Sequence, residues 1–105
     1  MITNLTSANV KEVLSTTQPV VIDFYATWCG PCIQMKPHFA KLADELGKTY
    51  LFADVNIDEA REIAEQYNVT SVPTLVFIKN NQEVGRKVGY QSEEDLKAAI
   101  EEFLG

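Results

Sequence analysis

Apolar residues follow two rhythms along this chain, and the switch between them marks the elements. Val20-Val21-Ile22-Asp23-Phe24-Tyr25 is a continuous apolar run broken by a single acid. Such a run predicts a strand buried on both faces, as in a parallel sheet covered by helices. From Cys32 to Leu46 the period lengthens, and Met35, Phe39, Leu42, Ala43 and Leu46 recur at helical spacing. Pro37 falls inside that helix and is expected to kink it. Tyr50 to Ile57 reads as a second central strand, and Val72 to Ile78 as a third. Between them Asp58 is a candidate N-cap for a helix whose inner face is Ala60, Ile63, Ala64 and Tyr67.

The ends of the chain are weaker in pattern. Residues 2–5 suggest a short edge strand, followed by a brief helix capped by Ser7 with Val10, Val13 and Leu14 inward. Asn80-Asn81 predicts a turn, because Asn tolerates positive φ, leading into a strand near Glu83 to Val88. Ser92 with Asp95 resembles a capping box and opens a final helix with Leu96, Ala99, Ile100 and Phe103 inward. Strands alternate with helices, and the chain finishes in a hairpin plus helix. The expected class is α/β: a three-layer helix–sheet–helix sandwich on a mixed sheet of about five strands, with about four helices.

Composition narrows the function. The 105 residues, 46% of them hydrophobic, suit one core, so residues 1–105 read as a single domain. No run of apolar residues is long enough to span a bilayer. Nine Lys plus Arg against fifteen Asp plus Glu give a net charge of −6. That balance argues against nucleic acid and against anionic membrane surfaces, both of which need clustered basic side chains. Met1 to Ser7 lacks the basic and apolar regions of a secretory signal, so the expected compartment is the reducing cytosol.

Both cysteines of the chain lie in Trp28-Cys29-Gly30-Pro31-Cys32, just after the buried strand and at the start of the long helix. As a structural staple the pair is weak, because so short a loop restricts the unfolded chain by only about 2 kcal/mol. As a zinc site it is incomplete, since two sulfurs and the single His38 leave fewer than four ligands. As a redox pair it is well placed. A thiolate at a helix N-terminus faces unpaired N–H groups and the positive end of the dipole. A second thiol one turn on can attack the resulting mixed disulfide. Pro31 suits the first turn, where a missing N–H costs little. The redox reading is therefore preferred over the other two.

With Asp23-Phe24-Tyr25-Ala26 upstream and Val72-Pro73-Thr74 downstream, this motif resembles the thioredoxin family across essentially the whole chain. The resemblance implies a thioredoxin fold and a redox-active Cys29–Cys32 disulfide. It implies that Cys29 is the exposed nucleophile and Cys32 the buried resolving thiol. The implied substrates are disulfide-containing proteins, with no cofactor or metal on this chain. Recharging is expected from a flavin-containing, NADPH-dependent thioredoxin reductase, and the expected state is a monomer. Pro31 stands where oxidising relatives commonly carry His, which points to a reducing pair. Two other classes remain: an oxidase or isomerase domain, which Gly30-Pro31 disfavours, and a binding subunit that needs neither thiol.

Asp23, six residues before Cys29, is expensive when ionised in an apolar strand, so its pKa is expected to rise. The plain alternative is a satisfied polar group near a strand end. The resemblance assigns it instead general acid/base work on Cys32, through water. Asp54 departs from the family, which often has Lys there. It either faces solvent, finds its own donor, or approaches Asp23 and raises one of the two pKa values further. Proline near the start of an internal strand needs a bulge or an edge. The resemblance implies instead a cis Val72–Pro73 bond facing the cysteines, leaving Val72 to pair with an extended substrate. Trp28, Gly30, Val72, Pro73, Gly89 and Tyr90 would then rim Cys29. Tyr25 reads as packing beneath the site, and His38 as an exposed helix residue without a role.

Overall fold

The computed structural model describes residues 1–105. In chain order the elements are β1 (Thr3–Asn4), α1 (Val10–Val13), β2 (Val20–Tyr25), α2 (Gly30–Leu46), β3 (Leu51–Asn56), α3 (Arg61–Gln66), β4 (Thr74–Lys79), β5 (Gln82–Val88) and α4 (Glu93–Leu104). They build one five-stranded mixed sheet in the order β1-β3-β2-β4-β5. β3 runs parallel to β2 from Val20 opposite Leu51 to Tyr25 opposite Asn56, and β4 runs antiparallel to β2 on its other side.

The strand period of two decides which helix each residue meets. Val20, Ile22 and Phe24 point to one face and pack with Ala53, Val55, Ala60, Ile63 and Val76 beneath α1 and α3. Val21 points to the other, where Phe52, Leu75 and Phe77 meet Met35, Phe39 and Leu42 of α2 and Leu96, Ala99 and Ile100 of α4. Asp23 and Tyr25 share the parity of Val21 and so face α2 rather than the opposite layer. The one acid of β2 therefore lies on the same side of the sheet as the cysteines.

Several element ends differ from the sequence expectation, each for a local reason. α1 begins at Val10, so Asn9 occupies the cap position; Thr6 N–H donates to Asn9 Oδ1 (2.8 Å) and Asn9 N–H to Thr6 Oγ1 (3.3 Å). Ser7 donates instead to Glu62. α3 begins only at Arg61, because Asn56 Oδ1 already accepts from Asp58 N–H (3.0 Å) and Glu59 N–H (3.4 Å) in the preceding turn. β4 starts at Thr74 rather than Val72, since Pro73 has no N–H for the ladder. α2 begins at Gly30 and continues through Pro37 to Leu46. Phe103 is half-buried over Gly85 of β5, and Leu104 is the fully inward residue at the end of α4.

Other expectations hold. Asn80 and Asn81 both have positive φ (54° and 64°), as a two-residue primed hairpin turn requires. Ser92 Oγ accepts from Asp95 N–H at 3.1 Å and caps α4.

Phe39 anchors α2 to the sheet, fully buried with its ring edge-on to Phe52 at a 5.3 Å centroid distance. Phe39→Ala is expected to destabilise the protein by about 3–5 kcal/mol in denaturant titration. A loss below about 1 kcal/mol would contradict this packing.

Candidate active site

Strand β2 ends at Tyr25, and the chain turns through Ala26, Thr27 and Trp28 straight into α2. Cys29 is the N-cap of α2, in extended conformation (φ −92°, ψ 111°), and its Sγ accepts the Cys32 N–H at 3.2 Å. This is a cap made with sulfur in place of the usual hydroxyl or carboxylate. Cys32 lies one turn on, with its Cα 5.2 Å from that of Cys29, and the two sulfurs form a disulfide. Gly30 and Pro31 fill the first two helical positions, where the proline leaves no hydrogen bond unmade.

The expectation of an exposed Cys29 needs correction for this oxidised form. Cys29 is 5% exposed and Cys32 3%. The capping position turns the Cys29 sulfur toward the helix, and the Val72 carbonyl oxygen stands 3.8 Å from it. Trp28 is 69% exposed beside it and donates its indole N–H to Asp58 Oδ2 at 2.9 Å. Asp58 is thus the partner of the tryptophan and not the cap that its sequence position suggested.

The Val72–Pro73 peptide is cis. Neither the N–H nor the C=O of Val72 has a main-chain partner, whereas the Pro73 carbonyl accepts the Gly89 N–H at 2.8 Å. That bond brings Gly89 beside the cis bond. Gly89 has φ +95°, a backbone region that a side chain would strain, so glycine is required there. Tyr90 follows it, 44% exposed, with its hydroxyl 3.0 Å from His38 Nε2. His38 is accordingly half-buried and partnered, in place of the free surface residue expected.

Beneath the loop, Asp23 is 1% exposed and its Oδ1 has no hydrogen-bond partner. Its pKa is raised from 3.8 to about 7, first by burial and then by the negative charge of Asp54, with Lys36 acting in the opposite direction. Asp54 stands directly opposite it on β3 and is 8% exposed. Burial raises the Asp54 pKa as well, while the Asn4 amide (2.8 Å to Oδ1) and Lys36 pull it down. Of the choices that the sequence left open for Asp54, the structure realises two: it finds a donor and it adjoins Asp23.

Sequence reasoning missed Lys36. It lies on α2 one turn beyond Cys32, with its ammonium 4.1 Å from the centre of the Tyr25 ring. The i, i+4 spacing to Cys32 was the available signal.

Two sulfurs that store an electron pair reversibly at a helix mouth do the chemistry of a thiol–disulfide oxidoreductase. The sequence profile described as Thioredoxin matches residues 1–102. The thioredoxin of Alicyclobacillus acidocaldarius is 36% identical over 100 residues, 95% of each chain. That of Mycoplasma pneumoniae is 43% identical over 91 residues, 86% of this chain and 88% of its own. Among solved structures, Malassezia sympodialis thioredoxin superposes with a TM-score of 0.89 at 36% identity, covering all of this chain and 92% of the other. The chain belongs to the thioredoxin family, and its function is protein-disulfide reduction by dithiol–disulfide exchange.

The Asp23 shift fixes a pH dependence of stability. A folded pKa above the unfolded one means that the native state binds more protons between the two values. Stability from this group is complete below about pH 4 and is lost as pH rises toward 7. Asp23→Asn is therefore expected to stabilise the protein above pH 7, by on the order of 4 kcal/mol. The gain shrinks toward zero near pH 4. Chemical denaturation across that range reads it, and a pH-independent difference would contradict the assignment.

Proposed function

We propose that residues 1–105, acting as one monomeric cytoplasmic domain, form a general protein-disulfide reductase. It donates electrons to reductive enzymes and is recharged by an NADPH-dependent thioredoxin reductase. The observation that carries the reading is the sulfur cap, in which Cys29 Sγ accepts the Cys32 N–H at the positive end of α2. Once the disulfide is reduced, the same donors stabilise a Cys29 thiolate. That thiolate attacks one sulfur of a substrate disulfide, and the other substrate sulfur leaves with the electron pair. Cys32 then attacks Cys29 Sγ, the Cys29–substrate bond breaks, and the second substrate thiol departs. Two electrons have moved to the substrate, and the Cys29–Cys32 disulfide remains.

Asp23 takes the proton of Cys32 in the second step, because a buried carboxyl with a pKa near 7 is matched to neutral pH. The N–H and C=O of Val72, which have no main-chain partner, pair with an extended segment of the substrate, a short strand addition. Trp28, Gly30, Pro73, Gly89 and Tyr90 complete the docking rim. Pro31, carrying no charge, leaves the pair on the reducing side.

Cys32→Ser tests the sequence of attacks. The variant is expected to accumulate mixed disulfides through Cys29 when mixed with disulfide-bonded proteins, visible as adducts on non-reducing gels. Cys29→Ser is expected to form none. Adducts of equal yield from both variants would overturn the assignment of nucleophile and resolving thiol. NADPH oxidation on addition of a bacterial thioredoxin reductase to the wild type tests the recharging partner.

A further inference from the structure

The charge arrangement around Asp23 is specific to the way three elements meet. Asp23 of β2 and Asp54 of β3 are directly paired in the parallel register, so their side chains leave the sheet on the same face, toward α2. Adjacent strands lie only about 4.8 Å apart. Both residues are buried, and Asp23 Oδ1 has no donor. Two carboxylates that close do not both ionise without a counter-charge.

The groups facing this pair are few. β4 offers Leu75 opposite Asp23, which carries no charge. β2 itself contributes the Tyr25 phenol, with Glu59 acting on it from the turn after β3. Asn4 of β1 donates to Asp54 Oδ1 at 2.8 Å, which biases Asp54 toward its ionised form. From α2 comes the Lys36 ammonium over the Tyr25 ring, one turn beyond Cys32, which itself packs with Tyr25. A cavity of about 170 Å³ beside the pair is lined by Tyr25, Ala26, Thr27, Cys32, Ile33 and Lys36, so the residue of the resolving thiol and that lysine border the same space.

We propose that Asp54 and Lys36 are positioning residues for the proton that Asp23 exchanges with Cys32. The two facing carboxyl groups take up a single proton between them, on Asp23, and the Lys36 ammonium supplies their counter-charge. The inference rests on the reading of Asp23 as the base for Cys32. In the resolving step the Cys32 S–H proton passes to the Asp23 carboxylate. The Cys32 thiolate displaces the substrate sulfur from Cys29, and the departing thiolate takes up a proton. Asp54 holds its negative charge throughout and keeps Asp23 basic enough to accept the proton. Lys36 offsets the double negative charge in the moment before transfer. The opposing actions fall on one group from two different elements.

The test combines two readouts on the full chain. Carboxyl carbon-13 NMR follows the Asp23 titration without reference to activity. Stopped-flow kinetics follow resolution of a preformed Cys29 mixed disulfide against pH. Asp54→Asn, which keeps an oxygen for Asn4, is expected to move both midpoints down by about one pH unit. Lys36→Gln is expected to move both up, and Lys36→Arg to leave them in place.

Unmoved carboxyl midpoints in both Asp54→Asn and Lys36→Gln overturn the proposal, as do moved carboxyl midpoints with an unmoved rate profile. Asp23→Asn separates this failure from the other. If its rate profile matches the wild type, the base reading itself falls. If its profile changes while the other two variants do not, the base reading stands and the proposal alone fails.

Discussion

The bond from the Cys32 N–H to Cys29 Sγ is the contact on which the chemistry depends. It makes one of the two reacting atoms part of the secondary structure, as the cap of the helix that the other begins to build. A cap is only as well placed as the helix end that it closes. Here that end is fixed from both sides. β2 delivers the chain from the centre of the sheet, and Phe39 and Leu42 bury the helix against Phe52 and Phe77 below. The Trp28–Asp58 hydrogen bond ties the intervening loop to the turn after β3. The electrostatic field at the cysteines is therefore set by the core and not by loop conformation alone.

The same burial that fixes the helix makes Asp23 costly. Its neighbours of like parity on β2 and β3 include Val21 and Phe52, both fully buried, and an apolar side chain at position 23 would complete that layer. The chain holds a carboxyl there instead, without a donor for Oδ1 and opposite a second acid. A group that lowers stability above neutral pH and lies beneath a redox pair fits the usual exchange between stability and activity at functional sites. Proton affinity near neutrality is what the site gains.

The layered sheet was legible in the sequence because apolar periodicity reports burial directly. The β2 run, the α2 stripe and the Asn80-Asn81 turn follow from residue types whose preferences the tertiary structure does not oppose. The capping assignments to Ser7 and Asp58 failed for one common reason. Asn9 and Asn56 organise the turns ahead of α1 and α3 by accepting N–H groups of Thr6 and of Asp58 and Glu59, and both helices then start beyond the expected caps without a side-chain cap. At the site, the Cys-x-x-Cys spacing and the misplaced acid of β2 carried the chemistry in one dimension. Lys36 over Tyr25, Tyr90 on His38 and the pairing of Asp54 with Asp23 did not. Each depends on register or helix rotation that residue type leaves open. The burial of Cys29 is not legible in residue type, because the reactive position is also the capping position, which draws its sulfur inward.

The most direct measurement is reduction of insulin disulfides by the 105-residue chain with dithiothreitol as the electron source, followed by precipitation of the freed insulin chain. Catalysis above the dithiothreitol background is expected, and it disappears when both Cys29 and Cys32 are replaced by Ser. A wild-type rate equal to background, alongside an active thioredoxin control, would contradict it.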